Sequence, residues 1–233
     1  MNPIFVITGT RKGIGRKLSE YYLNKGYIVN GCSRGGSSIT HQNYCHYKLD
    51  VSDEKEVVHM VHDVKNKFTK IDVLINNAGI ASMNHILITP YSTIQKVFQT
   101  NMFGTFLFIR EVSKIMMKQK HGKIVNFTTV AAPLRLEGEA VYAASKAAIA
   151  NFTQTVAKEL ADFGITVNAV GPTPVLTDLI KNVPRGKLDV LLQKQAIKRF
   201  GEFDDIANVI DFLIDERSNF ITGQIIYLGG VMH

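Results

Sequence analysis

The sequence predicts a doubly wound α/β fold, a largely parallel sheet of about seven strands with helices on both faces. Three observations carry this expectation: seven short β-branched runs, helix-period patterns between most of them, and 233 residues with no Pro/Gly-rich linker. A right-twisted strand feeding a helix packs back onto its sheet in one hand only, so alternation implies right-handed βαβ units. A single domain spanning 1–233 is expected, because α/β folds reach roughly 200–250 residues as one unit.

The strands are expected at Ile4–Thr8, Ile28–Cys32, Cys45–Leu49, Val73–Asn76, Lys123–Thr128, Thr166–Val170 and Ile225–Tyr227. A helix is expected over Arg16–Lys25, and another where Val57, Val61, Val64 and Phe68 form one apolar stripe. Thr93–Lys118 and Val141–Phe163 are the longest helical patterns, with apolar residues on more than one face. One face of each is expected to meet another subunit, with a homotetramer favoured over a homodimer. Gly171–Arg199, which holds Pro172, Pro174 and Pro184, reads as an irregular, mobile segment over a site.

Hydrophobic residues at 45% and charged residues at 20% supply a full core and carry no signature of disorder. Twenty-seven Lys+Arg against 20 Asp+Glu give +7, which suits nucleic acid, a membrane surface or small acidic partners such as phosphates. No basic run reaches five residues, so a solvated, mildly basic surface is the preferred reading, without nucleic acid or membrane as partner. Cys32 and Cys45 are too few for a disulfide framework and are expected as reduced, buried thiols. No basic leader and no stretch of ~18 apolar residues is present, so a cytoplasmic protein is expected. His59 and His62 share a helix without a matching acid or thiol set, so no metal site is expected. Met116, Met117, Phe103, Phe106 and Phe108 read as packing.

Directly after the first strand comes Thr8-Gly9-Thr10-Arg11-Lys12-Gly13-Ile14-Gly15. Glycines permit a tight turn and bring backbone N–H groups to a pyrophosphate at a helix N-terminus, where the dipole favours anions. The second strand ends Ser33-Arg34 with no acid to hold a ribose 2′-hydroxyl. Ser33 removes a charge that would repel a 2′-phosphate, and Arg34 offers a planar fork to bind one. Lys12 adds a second cation, so NADP(H) is the expected cofactor.

Tyr142 and Lys146 lie four apart on a helical pattern and share a face. An adjacent ammonium favours the phenolate and is expected to lower a tyrosine pKa from its usual ~10 toward proton exchange at neutral pH. This pair taken alone is a frequent coincidence of helix surfaces. Thirteen residues upstream of Tyr142, Thr129 follows a strand and is positioned to aim its hydroxyl at the same substrate oxygen.

Over nearly its whole length the chain resembles the short-chain dehydrogenases/reductases, which share one Rossmann-like domain. The marks, in order, are Thr8-Gly9-x-x-x-Gly13-Ile14-Gly15, Asp50, Asn76-Asn77-Ala78-Gly79, Asn101, Tyr142-x-x-x-Lys146, Asn168-x-x-x-Pro172 with Thr177, and Ile221-Thr222-Gly223-Gln224. The resemblance implies hydride transfer between NAD(P)(H) and a carbonyl or alcohol. It implies that Asp50 and Val51 border the adenine and that Asn77, Ala78 and Gly79 support the cofactor. Asn101 would anchor a proton-relay water, Lys146 would also bind the nicotinamide ribose, and Thr177 would lie near the carboxamide or the phosphates. The cofactor-binding set is Gly9, Arg11, Lys12, Gly13, Ile14, Gly15, Ser33, Arg34, Asp50, Val51, Asn77, Ala78, Gly79, Tyr142, Lys146, Pro172 and Thr177; the catalytic set is Asn101, Thr129, Tyr142 and Lys146.

Three positions depart from the family pattern. Thr129 stands where the family has serine, Pro172-Thr173 replaces Pro-Gly so that the backbone loses glycine's freedom, and Leu228 precedes Gly229-Gly230 in place of an acid or amide. Within the family the likeness is greatest to 3-oxoacyl-[acyl-carrier-protein] reductases, through Lys118-Gln119-Lys120-His121-Gly122-Lys123, Gly164-Ile165-Thr166-Val167-Asn168 and Arg199-Phe200-Gly201. An NADPH-dependent reduction of a 3-oxoacyl thioester on acyl carrier protein is therefore expected. A reductase of a free small ketone, alcohol or sugar is the same-class alternative, and a non-catalytic cofactor-bound sensor or scaffold the different-class one. Carrier docking is expected at Lys120, or recentred on Lys118, Lys120 and Lys123, because Phe163 occupies the second basic position of that group.

Overall fold

The computed structural model describes residues 2–176 and 185–231. Strands β1 (Ile4–Thr8), β2 (Ile28–Ser33), β3 (Tyr44–Lys48), β4 (Val73–Asn76), β5 (Gly122–Phe127), β6 (Ile165–Gly171) and β7 (Ile225–Tyr227) form one sheet. Their order is β3-β2-β1-β4-β5-β6-β7, and every pair is parallel. The expected doubly wound architecture is the one observed, with each strand within one residue of its predicted bounds. Strand order reverses between β1 and β4, where Val6 pairs with Leu74 on one side and with Asn30 on the other. Chain leaving the two strands diverges there, which opens a crevice beyond their carboxyl ends.

Alternation along β1 explains the two layers. Ile4 and Val6 face a core shared with α2 (Glu54–Phe68), whose Val57, Val61 and Val64 form the predicted stripe, and with two later helices of the same layer. Phe5 and Ile7 face the opposite core, built from Leu18 and Tyr22 of α1 (Gly13–Asn24) and from a helix near the C-terminus. Side chains two apart share a face, so a fully buried strand must be apolar at every position.

The long Thr93–Lys118 pattern is not one helix. It divides into α3 (Tyr91–Phe98), a π-helical turn (Gln99–Phe103) and α4 (Gly104–Gln119). The Asn101 side chain is bonded to the backbone of Ile80 at the centre of that turn, and π-turns often mark functional positions. Next come α5 (Ala131–Leu134) and α6 (Ala140–Leu160), the latter beginning within a residue of its prediction. Gly171–Arg199 is less irregular than expected, because α7 (Arg185–Gln193) lies inside it; residues 177–184 lie outside the described residues.

Some packing expectations are corrected. Phe108 and Met116 are buried, whereas Phe103 at the end of the π-turn and Phe106 and Met117 on α4 are exposed, with Phe106 beside Phe152 of α6. Cys32 is buried as expected, but Cys45 on the edge strand is only half-buried. No helix among the described residues is long and apolar enough to cross a membrane.

One contact holds α1 against α8 (Phe203–Ile214). Asp211 accepts from the Tyr21 hydroxyl at 2.6 Å, the Tyr22 hydroxyl at 3.1 Å and Lys25 Nζ at 2.5 Å. Tyr22 is fully buried, so deleting Asp211 strands a buried hydroxyl. Asp211→Ala should lower the unfolding free energy by about 1–3 kcal/mol, the cost of leaving such a group unpaired. Urea denaturation should show a lower midpoint at unchanged slope, and an unmoved midpoint would refute the role.

Candidate active site

The turn between β1 and α1 is shaped by what its glycines leave out. Gly9 adopts φ +76°, and a Cβ there would come 2.8 Å from Asn77 Nδ2; a Cβ on Gly15 would collide with the same amide and with the Gly9 carbonyl. Asn77 uses this closeness, donating from Nδ2 to Thr8 O at 2.8 Å, while Ala78 N donates to Thr8 Oγ1 at 2.9 Å. The chain after β4 is thereby stapled to the glycine turn. Gly13 (φ +62°) has open space in front of it, and the first turn of α1 carries no side-chain cap and no acid. These free N–H groups and the bare approach fit the pyrophosphate of a dinucleotide.

At the ribose end, Arg11, Lys12 and Arg34 are exposed and Ser33 is half-buried with its hydroxyl on the Gly35 carbonyl at 2.8 Å. A Cβ on Gly35 would come 2.9 Å from Arg11 Nη1, so the guanidinium lies directly over that glycine. No acid is among these groups, which suits a phosphorylated ribose. Asp50 accepts from Ser52 N and Oγ at 2.9 and 2.7 Å, and Val51 packs beneath Gly104.

The reactive side chains converge from β5, the π-turn and α6. Thr129 follows β5 and is nearly buried; its hydroxyl accepts from Ala131 N at 3.3 Å and acts to lower the pKa of the Tyr142 phenol, which lines the same cavity. Lys146 is buried one turn along α6 and donates to Phe127 O at 2.7 Å. Thr128 Oγ1, pointing the other way, donates to Lys146 O at 3.0 Å and anchors α6 to the strand. Asn101, fully buried, donates from Nδ2 to Ile80 O and to Ser145 Oγ, both at 3.0 Å, and accepts from Ile80 N at 2.8 Å. A Cβ on Gly79 would lie 3.3 Å from Asn101 Oδ1 and 3.4 Å from Lys146 Nζ, so these two groups meet over a residue of the β4 turn.

The electrostatics correct one expectation. Burial, the largest cause, pushes Tyr142 up to about 12, opposed by the Thr129 hydrogen bond and reinforced by Glu139. Lys146 is itself pushed down to about 8 by burial, its Nζ committed to a carbonyl. Desolvation leads both shifts, and Lys146 is not among the causes that act on the phenol, so the lowering read from the four-residue spacing does not occur. At neutral pH the protein alone therefore presents a protonated phenol, a donor, and an amine that exchanges protons near neutrality.

Thr129, Tyr142 and Lys146 line a cavity of about 580 Å³ together with Ile14, Asn77, Gly79 and Pro172. Much of the remaining wall comes from the Gly171–Arg199 segment expected over a site, with apolar Leu188 and Leu191 and the cation Lys194; Met83, Leu136, Arg135, Glu137 and Glu139 complete it. Arg135 has φ 50°, a left-handed conformation rare outside glycine; only the fold exposes that. Thr173 does not have a positive φ, so the expected loss of glycine's freedom is immaterial. Its side chain occupies space left by Gly201 and Gly229, whose Cβ atoms would each come 2.7 Å from it. Thr177 lies outside the described residues.

A family model described as enoyl-(acyl carrier protein) reductase matches residues 9–233. The chain is 33% identical to the 3-oxoacyl-[acyl-carrier-protein] reductase FabG of Staphylococcus epidermidis, over the full length of both. It superposes on the structure of ElxO with NADP bound at a TM-score of 0.90 and 32% identity, covering 98% of this chain and 97% of that one. A 4-hydroxyisoleucine dehydrogenase complexed with NADH matches at 0.89 and 27%, covering 99% of each.

Because Lys146 is depressed in the fold, the unfolded chain alone holds that proton between about 8 and the usual 10.5. Stability contributed at this site should therefore rise with pH across that window, since there the unfolded state binds more protons. Lys146→Met removes the titration. Urea unfolding at pH 7.5, 8.5 and 9.5 should show wild type gaining stability relative to Lys146→Met as pH rises; a constant difference would refute the depressed value.

Proposed function

The chain belongs to the short-chain dehydrogenase/reductase family, and on that premise we propose that it is an NADPH-dependent carbonyl reductase converting a 3-oxoacyl thioester on acyl carrier protein to the 3-hydroxyacyl form. The observation that carries this reading is the convergence of Thr129, Tyr142 and Lys146 in one mainly apolar cavity beside the glycine turn. Bound along that turn, the cofactor supplies hydride. Gly9, Gly13, Ile14 and Gly15 hold the pyrophosphate, Arg11, Lys12, Ser33 and Arg34 the 2′-phosphate, and Asp50 and Val51 border the adenine. Asn77, Ala78, Gly79 and Pro172 close around the nicotinamide end.

Tyr142, kept neutral by burial, gives its proton to the substrate oxygen as negative charge develops there. Thr129 hydrogen-bonds that oxygen, an interaction that strengthens with the charge. Lys146, titrating near neutrality, passes a replacement proton to the phenol and holds the ribose. Asn101 fixes the Ile80 backbone against α6 and is assigned the relay water that resupplies the proton. The apolar walls accept an acyl chain.

For carrier docking, burial argues against one of the three expected lysines. Lys123 is buried in β5 against Asn219, so it cannot meet a partner. Lys118 and Lys120 are exposed, and a Cβ on Gly164 would touch the Lys120 carbonyl, which sets the Lys120 turn beside Phe163. We assign docking to Lys118 and Lys120, and assembly as a homotetramer to the faces of α4 and α6, where Phe106 and, just before α4, Phe103 are exposed.

NADPH consumption should be measured with acyl-carrier-protein, coenzyme A and free-ketone substrates. The carrier thioester should turn over fastest, Lys120→Glu should raise its KM severalfold without changing a free ketone's kinetics, and Tyr142→Phe and Thr129→Ala should lower kcat while NADPH still binds. Turnover confined to free ketones would replace this substrate with the smaller one.

Wild type should prefer NADPH to NADH at least tenfold, about 1.4 kcal/mol of binding. Arg34→Ala with Ser33→Asp should reverse that order; equal affinities in wild type would overturn the cofactor assignment.

A further inference from the structure

The cavity that holds Thr129, Tyr142 and Lys146 carries charges that the proposed reaction leaves unused. Among the described residues that line it, Arg135, Lys194, Glu137 and Glu139 are charged besides Lys146. Lys146 is buried, whereas Arg135 and Lys194 are exposed, so the cavity runs from a buried reacting end to a mouth that bears two cations.

One apolar cluster brings both cations to the same stretch of wall. Val130, Leu191 and Val231 form it, with Leu134 and Leu136 packed against them. Arg135, left-handed at φ 50° and exposed, stands between Leu134 and Leu136 at the end of α5. Lys194 follows Leu191 by three residues, its N–H bonded to the Leu191 carbonyl at 3.0 Å. Among the described residues neither cation's side chain has an ion-pair or hydrogen-bond partner, although Arg16, Lys25, Lys67, Arg110 and Arg199 are all paired.

The acids on the same wall leave this pair available. Glu139 lies three residues before Tyr142, acts on its phenol and is not free. Glu137 is exposed and pairs with neither cation. Arg135 and Lys194 are not among the groups that act on Tyr142, so both stand farther from the reacting oxygen than Glu139 does. An anion that answers them is therefore remote from the substrate carbonyl, which suits a phosphoryl group at the end of a long arm rather than a carboxylate beside the ketone. In a phosphopantetheine thioester about thirteen bonds separate sulfur from phosphorus, the span of about four extended residues, roughly 15 Å.

We infer that Arg135 and Lys194 bind the phosphoryl group of a phosphopantetheine arm at the cavity mouth, so that the arm itself, and not only the surface of its carrier, selects the substrate. This rests on the thioester reading above. A guanidinium meets phosphate oxygens with two parallel N–H bonds, and an ammonium adds a compact charge. Exposed charges are individually weak and are screened by salt, which sets the size of the effect at severalfold. Glu137 opposes an anion at the same place, so removing its charge acts in the opposite direction.

The test is NADPH consumption with the 3-oxobutyryl thioesters of pantetheine, 4′-phosphopantetheine, coenzyme A and acyl carrier protein. The phosphopantetheine thioester should have a KM severalfold below that of the pantetheine thioester, and the gap should narrow as salt is raised. Arg135→Gln and Lys194→Gln should each narrow it by raising the KM of the phosphorylated thioester, and Glu137→Gln should widen it. In the cation variants, a KM rise shared by the coenzyme A and carrier thioesters supports recognition of the arm from either source, and a rise with one alone assigns it to that source. Equal KM for the two pantetheine thioesters in wild type would overturn the inference, as would a gap unchanged in both glutamine variants; if those variants do not fold, a gap unmoved by Glu137→Gln would do so. Calorimetry with free 4′-phosphopantetheine and pantetheine separates this from the reading beneath it. Tighter binding of the phosphorylated form without turnover of any thioester would overturn the 3-oxoacyl reading and leave the anion site standing.

Discussion

The Asn77 amide lies against Gly9 and Gly15 so closely that a methyl group on either would have to displace it. That contact joins the end of β4 to the turn after β1 at the one place where the sheet order reverses. With Asn77 and Ala78 both bonded to Thr8 or its neighbour, the loop that follows can move little, and Gly79 is carried to the point where Asn101 and Lys146 meet. The nucleotide turn and the proton-handling groups are thus held at a set separation by backbone and amide contacts rather than by long, flexible side chains. Such preorganisation is what a site needs if its dipoles are to stabilise charge without rearranging.

Charge in the centre of the site is governed by burial. Tyr142 and Lys146 each lose solvation, and each is pushed toward its neutral form, upward for the phenol and downward for the ammonium. The two shifts make complementary chemistry: a phenol that keeps its proton until an oxygen anion develops, and an amine that exchanges near neutral pH. The amine is held by the Phe127 carbonyl, so its position does not rest on the phenol.

Departures from the family pattern are absorbed locally. Thr173 is accommodated because Gly201 and Gly229 leave the volume its side chain fills, which links three positions far apart in sequence. Arg135, in a left-handed conformation at the end of α5, and Lys194 put cations on a cavity wall that also carries Glu137 and Glu139. The hydrogen bonds from Thr10 Oγ1 to the Tyr44 hydroxyl and from that hydroxyl to His46 Nδ1, both 2.9 Å, depend in the same manner on the missing Cβ of Gly31, which would come 2.5 Å from Thr10 Oγ1 and from the Tyr44 hydroxyl.

By itself the sequence determined the sheet, the placement of its seven strands, the glycine turn at the first crossover and the ordered motifs of the family. These are set by periods of two and 3.6 residues and by turn chemistry, which act over a few neighbours. It did not reveal the π-turn at Asn101, because the bond that sustains it comes from Ile80, twenty-one residues away. Nor did it reveal that Lys123 is buried against Asn219, that Cys45 is half-exposed at the sheet edge, or that α7 lies within the Pro-containing segment. Tertiary structure alone decided the direction of the Tyr142 shift and the pairing of His46 with Tyr44 and Gly35. Desolvation depends on how much of the whole molecule surrounds a group, and spacing along the chain carries no measure of that.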